Sequence, residues 1–326
     1  MGCSANLAGP DAVDADSTSP ASAVVVVERV VGAGDAQASA VARFVRMRSG
    51  AVDEDALRMV GATVDFPALG TCATAAALKR PGTARAADLL DVGAMSLEAN
   101  GVRTSLQTRQ LPDVVDLLSG VVYATPAGNE AALPQSAVYV LRAAGAADLD
   151  VAPFAVTASA PAEPTTVRIG GQDTAEAAAI TLAAGSSVEV TWEAGTPEDL
   201  VYFDVGGEPE PTAVRCLFTD SGRATLSSAA FADSWTTGTI AIHRLHREPF
   251  RVKGIESGEV RFDRREIEFH DIGVVRGGCA LNSPKSLRLG IGFHQCDLFG
   301  RSAGKFQVTN GFLVDREYRA GRAEFR

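Results

Sequence analysis

The 326-residue chain lacks any apolar run approaching the roughly 18 to 20 residues that a membrane-spanning helix requires; the longest near its start is residues 23–27. A helical transmembrane protein is thereby excluded. No basic segment followed by an apolar one heads the chain, so the sequence as it stands carries no signal peptide. Aromatic residues are scarce at 6%, with two Trp, and the four His all fall after position 240. Basic residues are outnumbered thirty to forty. The resulting formal net charge of -10 repels polyphosphate and makes nucleic acid an unsuitable partner. The five cysteines, at 3, 72, 216, 279 and 296, show none of the C-x-x-C spacing of a structural zinc site.

Catalytic motifs are missing as well. There is no G-x-S-x-G elbow, and the one Ser-x-x-Lys, Ser302 to Lys305, has neither Ser-Asp-Asn nor Lys-Thr-Gly beside it. Gly32-Ala33-Gly34 and Gly290-Ile291-Gly292 lack the third glycine, the Lys-Ser/Thr and the βαβ setting of a phosphate loop. Asp53-Glu54-Asp55 and Asp148-Leu149-Asp150 lack the alternating ligands of a calcium loop and read as solvated turns. His243 and His246 lie three apart, and on a strand that odd separation sends their side chains to opposite faces, so they cannot share a metal. His243 is expected on the polar face opposite Ile240 and Ile242. Cys279 and His294 form a dyad only in a setting that lowers the thiol pKa, and no such setting is visible. No catalytic residue, metal ligand or cofactor is therefore assigned, and the expectation is a non-enzymatic protein. The alternative is a hydrolase that assembles its site from the loops of a β scaffold.

What is present is a globular composition, 46% hydrophobic and 21% charged, in a chain longer than one domain usually is. Short apolar or alternating runs recur every ten to fifteen residues between Gly, Pro, Asn and Asp clusters, the rhythm of an all-β sandwich. The first series of expected strands covers residues 24–31, 40–47, 57–66, 88–97, 102–111, 120–124, 137–143 and 149–157. Asn100-Gly101 predicts a tight hairpin because both residues tolerate positive φ. Short helical turns are expected at 73–78 and 113–119. Residues 158–164, with two prolines, read as a connector. Beyond it, residues 187–193 alternate cleanly, Val188, Val190 and Trp192 against Ser187, Glu189, Thr191 and Glu193. Strands at 200–205, 214–218, 225–226, 238–242 and 260–262 continue the series.

The fold class expected is all-β: two tandem antiparallel β-sandwich domains, residues 23–157 and 165–270. The second resembles an immunoglobulin-like sandwich in size and rhythm, a likeness that implies no particular activity. Before them, residues 1–22 are too polar and too broken to pack and read as a disordered tether. Gly2-Cys3-Ser4 followed by that tether resembles the mature start of a bacterial lipoprotein. The resemblance implies a lipid on Cys3, a place in the cell envelope on the outer membrane or in the periplasmic or extracellular space, and membrane contact only through the anchor. An ordinary polar N-terminus containing a cysteine is the competing reading; N-myristoylation fails because Asn6 stands where Ser or Thr is required.

The end of the chain differs from the rest. From Arg264 onward eleven Lys/Arg meet seven Asp/Glu, a balance of +4 after -14, and only four Ala follow Asp263. Residues 271–326 are expected to be an atypical basic tail, either a small module or a frame-shifted stretch. In an exported protein Cys279 with Cys296 is the favoured disulfide; Cys72 with Cys216 would then cross-link the two domains, unless Cys216 is a buried small hydrophobe. The reading reached is a non-catalytic binding or structural protein of the envelope whose partner is an envelope protein or a glycan. Trp235 is the candidate platform for stacking on a sugar.

Overall fold

The computed structural model describes residues 19–31, 36–79, 85–114, 117–126, 133–177, 179–183, 185–208, 213–232, 235, 237–268 and 273–275. Cys3, Cys279 and Cys296, and nearly all of the expected tether and tail, lie outside these residues. Within them the alternation written in the sequence becomes a strand ladder. β1 (Ala21–Val31) turns Ala21, Ala23, Val25 and Val27 inward, and β2 (Gln37–Met47) does so with Ala40, Ala42 and Phe44. A helix, α1 (Glu54–Met59), follows, then β3 (Thr71–Thr74), α2 (Ala75–Leu78), β4 (Ala87–Leu89), β5 (Met95–Ala99), β6 (Val102–Val114), β7 (Leu118–Ala124), β8 (Val138–Ala143) and β9 (Phe154–Ser159). The later strands are β10 (Arg168–Ile169), β11 (Gln172–Asp173), β12 (Thr181–Ala183), β13 (Val188–Thr191), β14 (Leu200–Glu208), β15 (Val214–Thr219), β16 (Arg223–Leu226), β17 (Thr237–Val252), β18 (Ile255–Glu268) and β19 (Gly273–Val275).

Thirteen of these strands form one sheet in the order β3-β15-β14-β17-β18-β1-β2-β4-β7-β6-β5-β8-β9. β6 pairs with β5 through Leu106 and with β7 from Gln107 onward. The sheet thereby turns back on itself, packing β5, β8 and β9 against β1, β2, β7 and β18 around Phe44, Leu97, Tyr123, Tyr139, Leu141 and Phe262. A second core forms where the four-stranded sheet β11-β10-β13-β16 lies on β15, β14 and β17, enclosing Ile169, Val190, Trp192, Phe203, Leu226 and Ile242. In chain order β10, β13 and β16 are strands A, B and E, and β14, β15, β17 and β18 are C, C′, F and G. An A-B-E sheet faces a C′-C-F-G sheet, the order of an immunoglobulin-like sandwich.

The two cores share β17. At 16 residues, or about 50 Å fully extended, this strand is long enough to serve both, and the 14-residue β18 pairs along it. Ile240 and Ile242 enter the second core, while Phe250, Ile255, Val260 and Phe262 enter the first. β18 also runs parallel to β1 from Ser22↔Ser257 to Val31↔Glu266. The expected connector is correspondingly short: β9 continues to Ser159, and Ala158 and Ala160 are buried in the first core.

Several local expectations are met and others corrected. Asn100 and Gly101 both have positive φ, at 51° and 76°, and close the β5–β6 hairpin. The strand expected at 57–66 is replaced by α1, because Asp53 caps it by accepting from the Ala56 N–H at 2.9 Å. The helical turn expected at 113–119 gives way to the ends of β6 and β7, and the one at 73–78 is met by α2. Strand pairing continues past Asp263, since β18 runs to Glu268 with ladder partners on both sides that need no apolar alternation. β19 lies within the expected tail and pairs parallel with β12.

Candidate functional site

Among the described residues, one group of interacting ionisable side chains lies on the face of β14, β15, β17 and β18 that points away from the second core. Ladder register places it there: Tyr202 sits opposite His243 and Leu217, and Asp204 opposite Arg215. His243 Nδ1 lies 3.0 Å from Asp263 Oδ1, and the Tyr202 hydroxyl donates to Asp263 Oδ2 at 2.5 Å. The His243 ring stacks on Tyr202 at 4.0 Å. Arg215 donates to both carboxylate oxygens of Asp204, each at 2.7 Å, and lies over the Tyr202 ring at 5.0 Å. Phe66, arriving from the segment between α1 and β3, packs edge-on against Tyr202 at 5.1 Å and brings the Asp65 carbonyl within 3.3 Å of Arg215 Nη1.

The electrostatics of this group hold charge in place. Burial opposes ionisation of Asp263, but His243, the Tyr202 hydroxyl and Arg215 outweigh it and keep the carboxyl below its ordinary range. Burial, reinforced by the Asp263 charge, pushes the Tyr202 phenol well above its ordinary value, so it remains a donor. An Asp–His pair becomes catalytic when the far ring nitrogen meets a nucleophile. Here His243 Nε2 is buried, has no hydrogen-bond partner among the described residues, and lies 3.7 Å from an Asp204 oxygen. The arrangement can anchor neighbouring segments, and among the described residues no hydroxyl or thiol is hydrogen-bonded to His243 Nε2.

A second group stands on the opposite face of β17, where the two cores meet. Arg244, 2% exposed, donates from Nε to Asp220 at 2.6 Å and from its terminal nitrogens to the carbonyls of Ala162, Glu163 and Glu193. Asp220 also accepts from the Trp192 indole N–H and the Gly195 backbone. Gly195 leaves room for the pair, because a Cβ there would fall 2.5 Å from Asp220 and 2.9 Å from Arg244. His246 lies 2.6 Å from Asp199 through Nδ1 and 3.5 Å from Glu248 through Nε2. The hydrogen bond to Asp199 raises the His246 pKa. Burial resists the Asp199 charge, but His246 and Thr196 hold that carboxyl below its ordinary range.

His243 does lie opposite Ile240 and Ile242, as expected, yet it is 4% exposed and not on a wet face. His246 is on the other face, and no described His, Cys, Asp and Glu residues converge as a metal-binding set. Trp235 is corrected as a ligand platform: it is 4% exposed and packed in the second core. A Cβ on Gly207 would come within 2.1 Å of its ring, so the strand is shaped to receive the indole. Cys72 and Cys216 are joined by a disulfide. The sequence reading missed Tyr202, Arg215, Asp263, Arg244 and Asp220. The only signal available for them was charge at strand positions that alternation assigns to a covered face.

The chain matches no known family model and no curated protein. Among solved structures, a crystal structure of the chicken CNTN1 FN1-FN3 domains is similar over 76% of this chain and 66% of that chain, at 8% identity and a TM-score of 0.18. The chain thus spans slightly less than two thirds of that structure. A likeness of this size carries no argument, and the sandwich is read from its own strand order.

Proposed function

We propose that this is a non-catalytic protein of the cell envelope, in which two sandwiches fused through one sheet bind or space an envelope protein. The Cys72–Cys216 disulfide carries the reading, because such bonds form and persist in oxidising compartments. The commitment of His243, His246, Asp199, Asp220 and Asp263 to internal partners supports a structural role for the groups from which a hydrolase would be built. Cys3 and the polar residues after it serve in this proposal as lipid anchor and tether. Glycan stacking is the weaker reading, since Trp192 and Trp235 are both buried.

The test is expression of the gene with its native upstream region in a bacterial host. Fractions are then alkylated under denaturing conditions before and after reduction. We expect the protein in the envelope fraction with Cys72 and Cys216 protected from alkylation until reduced. Recovery in the cytoplasm with both thiols free would refute the placement.

A further inference from the structure

Residues 62–79 cross the rim of the second sandwich as a strap. β3 within it is the outermost strand of the large sheet, pairing with β15 in the register Thr71↔Leu217, Cys72↔Cys216, Ala73↔Arg215 and Thr74↔Val214. The strap is poorly embedded. From Thr63 to Lys79 every residue is half-buried or exposed, and Leu69 is 56% exposed. What it covers is the reverse: Cys216 is 0% exposed, Tyr202 2%, Val214 6% and Leu217 7%. Beyond the short ladder, its described attachments include the Phe66 ring against Tyr202, Arg215 and Arg247, the Asp65 carbonyl to Arg215, Asp65 to Arg58, the Ala62 carbonyl to Arg261, the Ala75 N–H to the Ala213 carbonyl, and the disulfide.

A four-residue strand with no buried side chain has little apolar area to hold it in place. Beneath it, β15 reads Val-Arg-Cys-Leu-Phe-Thr, with one charge and without Pro or Gly, so that apart from Arg215 nothing in it would keep an uncovered edge from pairing with another chain. We propose that the strap is a disulfide-latched cover, so that the redox state of Cys72–Cys216 decides whether the β15 edge is closed or open to an incoming extended strand. Opening is a two-electron reduction. A thiolate of a small dithiol attacks the half-buried Cys72 sulfur to form a mixed disulfide, while Cys216 leaves as a thiolate and takes up a proton. The dithiol's second thiolate then attacks its own sulfur in that mixed disulfide, Cys72 leaves as a thiolate and is protonated, and the dithiol is left as its own disulfide. An added strand would then hydrogen-bond to the β15 backbone groups that now serve β3.

The test uses the full chain and its Cys72→Ser variant, with site-resolved mass spectrometry. The backbone of Leu217 faces the strap, since its carbonyl accepts from Gly70 N–H at 2.7 Å, and Arg215, two residues away, faces the same side. In Cys72→Ser, or after dithiothreitol, the amides of Arg215 and Leu217 should exchange at least tenfold faster. Cys216 should also be alkylated by N-ethylmaleimide without denaturant, while amides shared by β14 and β17 keep their protection. Unchanged exchange and an unreactive Cys216 would show that the strap stays without its bond, and would overturn the proposal. So would simultaneous loss of β14 and β17 protection, which would make the bond a support of the whole sandwich. Phe66→Ala with the disulfide intact should leave β15 protected; exposure there would assign the hold to packing and equally overturn the latch.

Discussion

Replacing Arg244 by Met should be among the most damaging single changes in the second sandwich. The guanidinium is almost wholly buried and serves one carboxylate and three carbonyls, so its loss strands an ionised Asp220 and leaves three peptide oxygens short of a donor. Breaking a buried pair from one side costs about 3–5 kcal/mol, because the remaining charge has no compensation. At about 2–4 °C per kcal/mol for a large domain, the unfolding midpoint should fall by roughly 6–20 °C. Trp192 and Gly195 still donate to Asp220 in the variant, which places the loss toward the lower end. Calorimetry on the wild type, Arg244→Met, Asp220→Asn and the double variant gives the cycle. The double variant should lose less than the sum of the singles, since neither charge is then left alone. Additive losses, or a single-variant loss under about 1 kcal/mol, would refute a structural charge pair at this junction.

Arg264 offers the opposite case: it is 0% exposed and its Nε and Nη1 have no hydrogen-bond partner among the described residues, so Arg264→Met should leave the midpoint unchanged or raise it in the same calorimetry. Stability should also depend on pH through His246 and Asp199. His246 has a raised folded pKa, so its contribution is full below the ordinary histidine range and is lost as pH rises through the folded value; Asp199 is depressed, so its contribution is lost as pH falls through its own. Midpoints measured across pH should therefore decline on the alkaline side in the wild type and flatten there in His246→Asn. Gly207→Ala should cost about 1–3 kcal/mol by overpacking against Trp235, read from denaturant melts. Palmitate incorporation in a bacterial host should occur in the wild type and vanish in Cys3→Ser; equal labelling of both forms would remove the anchor from the proposed function.

The sandwich rhythm was legible because one face of most strands is dry: Val188, Val190 and Trp192 alternate with polar neighbours, and the structure buries those three. The Asn100-Gly101 hairpin was legible for a local reason, the two positive φ angles that only such residues accept without strain. What could not be read was pairing between distant segments. Nothing in Thr71–Thr74 announces that it will edge β15, and nothing in Ala21–Val31 announces ten residues of parallel pairing with β18. Residues 57–66 misled because Leu57, Met59 and Val60 look apolar enough for a strand, whereas the cap at Asp53 and the ion pairs of Arg58 with Asp55 and Asp65 settle them as a helix and loop. The polar clusters were invisible because strand alternation tells which face a charge takes, not whether another layer covers that face.

That covering layer also explains why the sequence looked as if its domains were separable and its charges wet. A tandem pair with its own sheets would leave Arg244, His243 and Asp263 on solvated strands, where ion pairs add little. Here β17 passes from one core into the other, and the irregular segments on either side of the sheet, residues 62–79 on one face and 158–164 on the other, meet charged side chains of β15, β17 and β18. Each of those segments looks like a loop or connector by composition, yet each supplies backbone carbonyls to an arginine of the sheet: Asp65 to half-buried Arg215, and Ala162 and Glu163 to buried Arg244. Arg244 is buried with several acceptors and is costly to break from one side, so the connector is held by the sheet as firmly as a regular element. The strap differs from the connector in one respect that bears on function. Its hold rests on several arginine contacts, one aromatic ring, a four-residue ladder and a bond that a thiol can open, which makes it the segment whose release would alter the surface while leaving both cores intact.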